Sequence, residues 1–411
     1  MPKFIHAADL HVDSPLVGLE AYEGAPVERI RAATRRALEN LVLLATTERV
    51  QFVVLVGDVF DTDPLYETAL FFRLQMQRLA DAGIRVVIIR GNHDYAGIAP
   101  RSVRLPDGVT VLAHERAETV ELPGGVFVHG RSYPRHDFTE DMVAGYPAPV
   151  PNALNVGLLH TSLMGFPEHD PYAPTSPDIL RAHGYQYWAL GHVHKRQVWD
   201  AGGVPIVFPG NLQGRHIRET GPKGATLVEY DGAKVVSYEH RSLDVMRWHV
   251  VEVDACGLKG DAVLERLRQR VFEQTAPDRE RNLLCAVRVL LRVTSAPHDD
   301  LRQFLAGEVQ AAGNQLWLEK LRVRVEAAAG EGLEAEAQLR ALAAELATDG
   351  EASGALLGQL EKLKQQLRAA EPRLLKRAAF LPGDEPDAQR QAVAELLEKA
   401  AQLVGAELRG R

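Results

Sequence analysis

Seven side chains able to hold divalent metals fall into five short motifs along this chain of 411 residues. In order the motifs are Asp9-x-His11, Gly57-Asp58-x-x-Asp61, Gly91-Asn92-His93-Asp94, His160 and Gly191-His192-x-His194. The candidate ligands are Asp9, His11, Asp58, Asn92, His160, His192 and His194. Carboxylate, amide and imidazole donors without thiolate suit manganese, iron or zinc better than a soft metal. Two divalent ions about 3.5–4 Å apart lower the pKa of a shared water and clamp the oxygens of an in-line phosphoryl displacement. Phosphoester hydrolysis is therefore the chemistry these residues point to. His93 follows a ligand directly, where an imidazole can pass a proton to a leaving oxygen. Any one of these motifs alone would read as a turn or a helix cap. Five together make a metal site.

Such a set needs strands to deliver it. Residues 3–8 read as a short buried strand ending at Asp9, and the apolar run 52–56 as a strand buried on both faces that ends at Gly57-Asp58. Residues 85–90, 155–159 and 187–190 lead in the same way into Gly91-Asn92-His93, His160 and Gly191-His192. Ligands of α/β sheets bind just beyond the carboxyl ends of strands, where all five motifs fall. His6, His114, His129 and His183 lie outside the motifs and read as ordinary polar or core histidines.

Beyond about residue 244 the texture changes. Strands over 248–253, 284–293 and 315–325 alternate with helices over 261–272 and 297–311, and Pro297 suits a first helical turn. From Ala327 onward the chain is rich in Ala, Glu and Leu, with stripes at Leu339, Leu342 and Leu346 and at Leu356, Leu360, Leu363 and Leu367. An amphipathic helix must bury its stripe, either against its own chain or in a partner. The expected domains are thus 1–245 with the metal motifs, 246–326 as a small α+β domain, and 327–411 as a helical C-terminal region.

There are 47 Lys+Arg against 55 Asp+Glu, a formal charge of −8, which argues against a nonspecific basic coat for DNA. A local basic groove with two metal ions can still hold a phosphate backbone. Candidate phosphate contacts are Arg215, His216 and Arg218, with Arg131, Arg135 and Lys223 beside them. Only two cysteines, Cys256 and Cys285, occur, far along the chain from the motifs, and fit a reduced interior. No signal-peptide pattern or membrane-length apolar run is present, so a soluble cytoplasmic protein is expected. No Gly-x-x-x-x-Gly-Lys-[Ser/Thr] loop occurs, so any ATP dependence must come from another subunit.

The order and spacing of the motifs resemble the calcineurin-like metallophosphoesterases. The stretches His6-Ala7-Ala8-Asp9-Leu10-His11-Val12-Asp13-Ser14-Pro15 and Phe208-Pro209-Gly210-Asn211-Leu212-Gln213-Gly214-Arg215-His216 are similar to the SbcD/YhaO DNA repair exonuclease branch. The resemblance covers the first 245 residues well and the rest in layout. It implies a metallophosphoesterase β-sandwich flanked by helices, then a small α+β capping domain and a helical segment. It implies two divalent metal ions, with manganese as the native metal. One would take Asp9, His11 and His194, the other Asn92, His160 and His192, with Asp58 bridging. His93 would be the general acid and Asp61 its acidic partner, since a neighbouring carboxylate favours a protonated imidazole. Some of these nucleases carry a histidine where this chain has Asp61.

The resemblance further implies a nuclease acting on DNA ends in double-strand-break repair. Its partner would be an SMC-like ATPase of the SbcC/YhaN type, bound through the C-terminal helices. Homodimerisation would run through helices of the first domain, for which 27–49 is a candidate segment. A phosphodiesterase or phosphatase for a small phosphoester, or a non-catalytic scaffold for an ATPase, remain the alternatives; the complete ligand set weighs against the scaffold.

Overall fold

The structure, a computed structural model, describes residues 1–14, 25–98, 103–163, 172–200, 202–294, 301–326, 341–343 and 397–400. The chain begins β1 (Lys3–Ala7), α1 (Val27–Arg31), α2 (Ala33–Thr47), β2 (Phe52–Val56), α3 (Tyr66–Asp81), β3 (Arg85–Ile89) and β4 (Val109–Val111). It continues β5 (Glu118–Leu122), β6 (Val126–Gly130), β7 (Leu154–His160), α4 (Pro177–Ala182), β8 (Tyr187–Gly191), β9 (Gln197–Trp199), β10 (Ile206–Phe208), β11 (Gly224–Asp231) and β12 (Lys234–Ser242). Then come β13 (Met246–Asp254), α5 (Asp261–Glu280), β14 (Leu284–Val293), α6 (Leu301–Ala311) and β15 (Leu316–Val325).

The fold is mixed α/β, built on two parallel-rich sheets. One six-stranded sheet runs β12-β11-β1-β2-β3-β4, the other β5-β6-β7-β8-β10-β9. β1, β2, β3 and β4 are parallel to one another, as are β6, β7, β8 and β10. Parallel order aligns the carboxyl ends of β1, β2 and β3 on one sheet and of β7 and β8 on the other. The five strands expected to carry the motifs are therefore shared between two sheets.

β2 shows why the sandwich closes. Its five residues are all buried. Val53 and Leu55 pack with Leu38, Leu41, Phe72 and Met76 of α2 and α3. Phe52, Val54 and Val56 face the other way, into a core shared with Val156, Leu158 and Tyr187 of the second sheet. Each such side chain withdrawn from water is worth about 1.5–3 kcal/mol, and strand alternation assigns it to one layer or the other. His6 crosses the same interface, its ring nitrogens 3.0 Å from the Tyr187 hydroxyl and 3.1 Å from the Leu190 carbonyl. Leu38 and Leu41 are thus core, and the exposed apolar side chains of this helical layer include Leu43 on α2 and Leu65, Tyr66, Leu70 and Leu74 on and beside α3.

Two compact units are distinguished, 1–251 with 271–288 and 306–320, and 252–270 with 289–305 and 321–411. In the first, Arg247 is buried and pairs with Asp244 at 2.9 Å and with Asp278, joining β13 to the end of α5. In the second, Arg292 grips Glu326 through two hydrogen bonds of 2.8 Å. β13, β14 and β15 form a three-stranded sheet. α5 continues past the expected stop at 272 to Glu280, with Pro277 inside its final turns. The expected C-terminal stripes lie outside the described residues, apart from helical residues 341–343 and 397–400.

Candidate metal centre

The motif loops bind one another before they could bind anything else. Asp9 N–H donates to the Gly57 carbonyl at 3.1 Å, His11 N–H to Asp58 O at 3.0 Å and Val12 N–H to Val59 O at 2.9 Å. The first two loops are zipped together along their backbones. His93 N–H donates to Asp58 Oδ1 at 3.0 Å, and His192 N–H to the Asp9 carboxylate at 3.0 and 3.1 Å. Asp94, buried, accepts from Gly91 N–H at 2.6 Å and Val59 N–H at 2.7 Å and so ties the third loop to the second.

This close weave strains the chain. Asp9, His11, Asp58 and His192 have φ of 51, 45, 51 and 102°, in the left-handed half of conformational space. Each such residue costs on the order of 1–3 kcal/mol and persists only where its surroundings impose it. Two motif glycines have the same origin. A Cβ on Gly57, whose φ is +79°, would come within 2.2 Å of His160 Nδ1, and one on Gly91 within 2.2 Å of Asp58 Oδ1. These are close-approach glycines.

All seven expected ligands converge, in two clusters. Ligand atoms of Asp9, His11 and His194 lie within 4.8 Å of one another, and so do those of Asp58, His160 and His192. Asn92 Oδ1 joins the second cluster, 3.0 Å from His160 Nε2 and 3.3 Å from His192 Nδ1.

Hydrogen bonding fixes which imidazole nitrogen is bare. His11 Nδ1 faces Asp61 Oδ1 at 2.5 Å and His194 Nδ1 faces Glu219 Oε1 at 2.6 Å. A carboxylate only accepts, so each Nδ1 carries the hydrogen and each Nε2 keeps its lone pair. Burial lowers the pKa of both rings. Two electron pairs therefore confront one another across the 3.1 Å between His11 Nε2 and His194 Nε2, beside the buried Asp9 carboxylate. The second cluster is arranged differently. His160 Nδ1 donates to Val56 O at 3.0 Å, which leaves Nε2 facing Asn92 Oδ1 and, at 3.3 Å, Asp58 Oδ2. Burial alone would lower the His160 pKa, but the Asp58 carboxylate outweighs it and raises it to about 9. In the first cluster acceptors aimed at acceptors in a buried place call for a cation; in the second, the proton that Asp58 retains on His160 stands where a cation would, and the nitrogen–oxygen donor set of both suits borderline divalent ions.

Asp61 departs from its expected role. Its Oδ1 meets His11 and, at 3.0 Å, Arg215 Nη1, and its Oδ2 lies 3.4 Å from that same Nη1, so the carboxylate is turned away from His93. His93 Nδ1 meets only the main-chain carbonyl of Asp61, at 3.3 Å. Burial would raise the Asp61 pKa, but hydrogen bonding from His11 holds it well below the carboxylate range. In this arrangement Asp61 holds the ring of His11.

Arg215 also departs from expectation. Its guanidinium is largely buried between Asp61 and Glu219, at 3.0 and 3.8 Å, instead of facing solvent for a phosphate. Lys223 is buried, with Nζ on the His194 carbonyl at 2.8 Å. Arg135 is exposed and paired with Asp137 at 3.5 Å, and Arg131 Nε donates to His114 O at 2.9 Å. His216 and Arg218 are exposed near the site, with His216 Nε2 3.5 Å from Glu219 Oε1.

Glu219 was not legible as a site residue. It sits 25 positions after His194 with no motif around it, and only folding brings it to Nδ1. It also accepts from Asn211 Nδ2 at 3.0 Å and Arg215 N–H at 2.7 Å. Burial would raise its pKa, and the His194 hydrogen bond reverses the shift, keeping the carboxylate ionised.

The chain is similar to several known proteins. The chain is 33% identical over 332 residues to the uncharacterized metallophosphoesterase YhaO of Bacillus subtilis, covering 78% of this chain and 80% of that one. It is 24% identical over 281 residues to the DNA double-strand break repair protein Mre11 of Sulfurisphaera tokodaii, covering 65% and 69%. It is 27% identical over 256 residues to the Mre11 of Aeropyrum pernix, covering 55% and 57%. Residues 2–196 match the calcineurin-like phosphoesterase family. With its dinuclear ligand set on the strand ends of two facing sheets, the chain belongs to the calcineurin-like phosphoesterases.

Proposed function

We propose that this metal-dependent phosphoesterase is a nuclease hydrolysing phosphodiester bonds at DNA ends, with manganese as its native metal. One observation supports it above the rest: Asp58 belongs to one of two adjoining donor clusters and also holds, through its carboxylate, the main-chain N–H of an exposed imidazole, His93. That relatives of this chain include two DNA double-strand break repair proteins favours DNA as the substrate. Asp9, His11 and His194 would hold one ion, and Asn92, His160 and His192 the other, with Asp58 shared. When bound, the ions supply an activated water and neutralise charge on the phosphoryl oxygens. Asp61 and Glu219 orient His11 and His194, and His93 gives a proton to the leaving oxygen. His216 and Arg218 lie at the rim, where a phosphate backbone would pass.

A homodimer, with the apolar stripe on α3 as its face, and an SMC-like ATPase held by the residues beyond 327 belong to the same proposal. Deleting residues from about 335 onward is expected to abolish ATPase binding and spare hydrolysis. The deciding assay is manganese-dependent hydrolysis of linear duplex DNA, with Asp58→Asn and His93→Gln alongside. Nucleotide release by the wild type alone supports the proposal. Turnover of a small aryl phosphodiester without DNA cleavage would overturn it in favour of a small-molecule phosphodiesterase.

A further inference from the structure

Beside the donor clusters runs a row of rings that metal binding does not explain. His93 and His136 have centroids 5.9 Å apart with planes at 82°, and His136 and Tyr172 are 6.1 Å apart at 88°. Tyr172 stands 5.1 Å from the ring of His192. The row reaches from the imidazole beside Asp58 to a ligand of the second cluster, and His136 in its middle is exposed.

The backbone under these rings is locked. Tyr133 is fully buried and meets the His160 ring edge-on at 5.5 Å and the Phe138 ring at 6.2 Å. Phe138 is buried as well, with the guanidinium carbons of Arg131 and Arg135 at 5.6 and 5.1 Å from its centroid. His136 is therefore carried between two aromatic anchors. On the other side, Ser162 N–H donates to Tyr172 O at 3.0 Å and Tyr172 N–H to Ser162 Oγ at 3.1 Å. Ala173 N–H donates to Phe138 O at 3.0 Å, joining the two supports.

An exposed π-surface held rigid next to a phosphoester site loses little freedom on binding, and flat rings stack on it whatever their hydrogen-bonding edges. We propose that the exposed ring of His136, braced edge-on by Tyr172, forms a stacking platform for the nucleobase adjoining the scissile phosphate, on the side of the ester that does not leave. The platform gives the enzyme preference for nucleotide esters over esters of small alcohols without reading base identity. This inference rests on the proposed action on phosphodiesters.

Two esters with the same leaving group test it: thymidine 5′-(p-nitrophenyl phosphate) and methyl p-nitrophenyl phosphate. In His136→Ala the ratio of their kcat/KM values is expected to fall about tenfold toward the methyl ester, through KM, because one stacking contact is lost. His136→Phe, which keeps a ring without nitrogen, is expected to restore the ratio. An unchanged ratio in His136→Ala, or failure of Phe to rescue, overturns the platform. A second readout does not need turnover: quenching of 2-aminopurine fluorescence in a short single-stranded oligonucleotide, expected in the wild type and His136→Phe and lost in His136→Ala. Equal quenching in all three overturns the proposal. Absence of diester hydrolysis in the wild type would refute the proposed function, while the fluorescence measurement would still decide the platform.

Discussion

Replacing Glu219 by glutamine tests whether the metal centre depends on a residue that no motif contains. Glu219 accepts three hydrogen bonds, from His194 Nδ1 at 2.6 Å, Arg215 N–H at 2.7 Å and Asn211 Nδ2 at 3.0 Å. A glutamine side chain is nearly the same size but offers one oxygen, so its amide group must face at least one of those donors. If the oxygen stays on His194, the loop 211–215 loses its anchor. If it turns to the loop, His194 loses the bond that keeps Nε2 bare. Losing such a partner behind a metal-binding histidine typically weakens metal affinity 10–100-fold, about 1.4–2.7 kcal/mol. Calorimetric titration of chelator-treated protein with manganese reads this directly, with circular dichroism to verify the fold. A variant that is folded and binds manganese within twofold of the wild type would refute the argument. The acid dependence has a definite sign. Folding holds Glu219 below its ordinary pKa of 4.5, so its contribution to stability is complete above that pH and fades as pH falls toward the folded-state value.

Asp61→Asn is expected to lower manganese affinity about 10–100-fold through His11; full metal retention with only turnover reduced would instead restore Asp61 as a partner of His93. Gly91→Ala places a methyl 2.2 Å from Asp58 Oδ1; we expect at least about 1–3 kcal/mol of destabilisation and loss of the second ion, and a wild-type melting temperature and metal content would contradict the close-approach reading. Arg247→Leu strands Asp244 and Asp278 inside the protein, a loss of about 3–5 kcal/mol that urea denaturation will measure; a change under 1 kcal/mol would show the network to be dispensable. In chelator-treated protein the raised His160 pKa of about 9 contributes stability that is complete below about 6.5 and is lost as pH rises through 9. Manganese needs the deprotonated ring, so its affinity should climb over that interval; a flat profile would remove His160 from the ligand set.

The ligands were legible because metal chemistry restricts residue type, and the strands because 52–56 is apolar on both faces. The division of the five strands between two sheets was not, since a buried run does not say which sheet it joins. Asp61 shows the limit most sharply. Its sequence position put it in the site, but its orientation follows from Arg215, more than 150 residues away, whose positive charge draws the carboxylate toward His11. Arg215 misled for the same reason, as a basic residue in a loop looks the same whether it meets a phosphate or a carboxylate. α5 outran its expected end because its packing persists beyond Phe272, where Thr275 and Asp278 are buried and Asp278 pairs with Arg247, enough to carry the helix through Pro277.

His160 comes from one sheet and hydrogen-bonds the Val56 carbonyl of the other; Asp58 and Asn92 follow strands of the first, His192 a strand of the second. Neither sheet can assemble a full set of donors alone, so docking of the sheets and loading of the centre are thermodynamically linked. At a free concentration one hundred times its dissociation constant, an ion bound only by the native state adds about 2.7 kcal/mol to stability. Removing the ions should therefore loosen the seam between the sheets first. Amides at the facing ends of β2 and β7 would lose protection from hydrogen exchange before those of α2 and α3, which pack on the opposite face. A centre built this way would act as a clasp between the sheets as well as a site for chemistry.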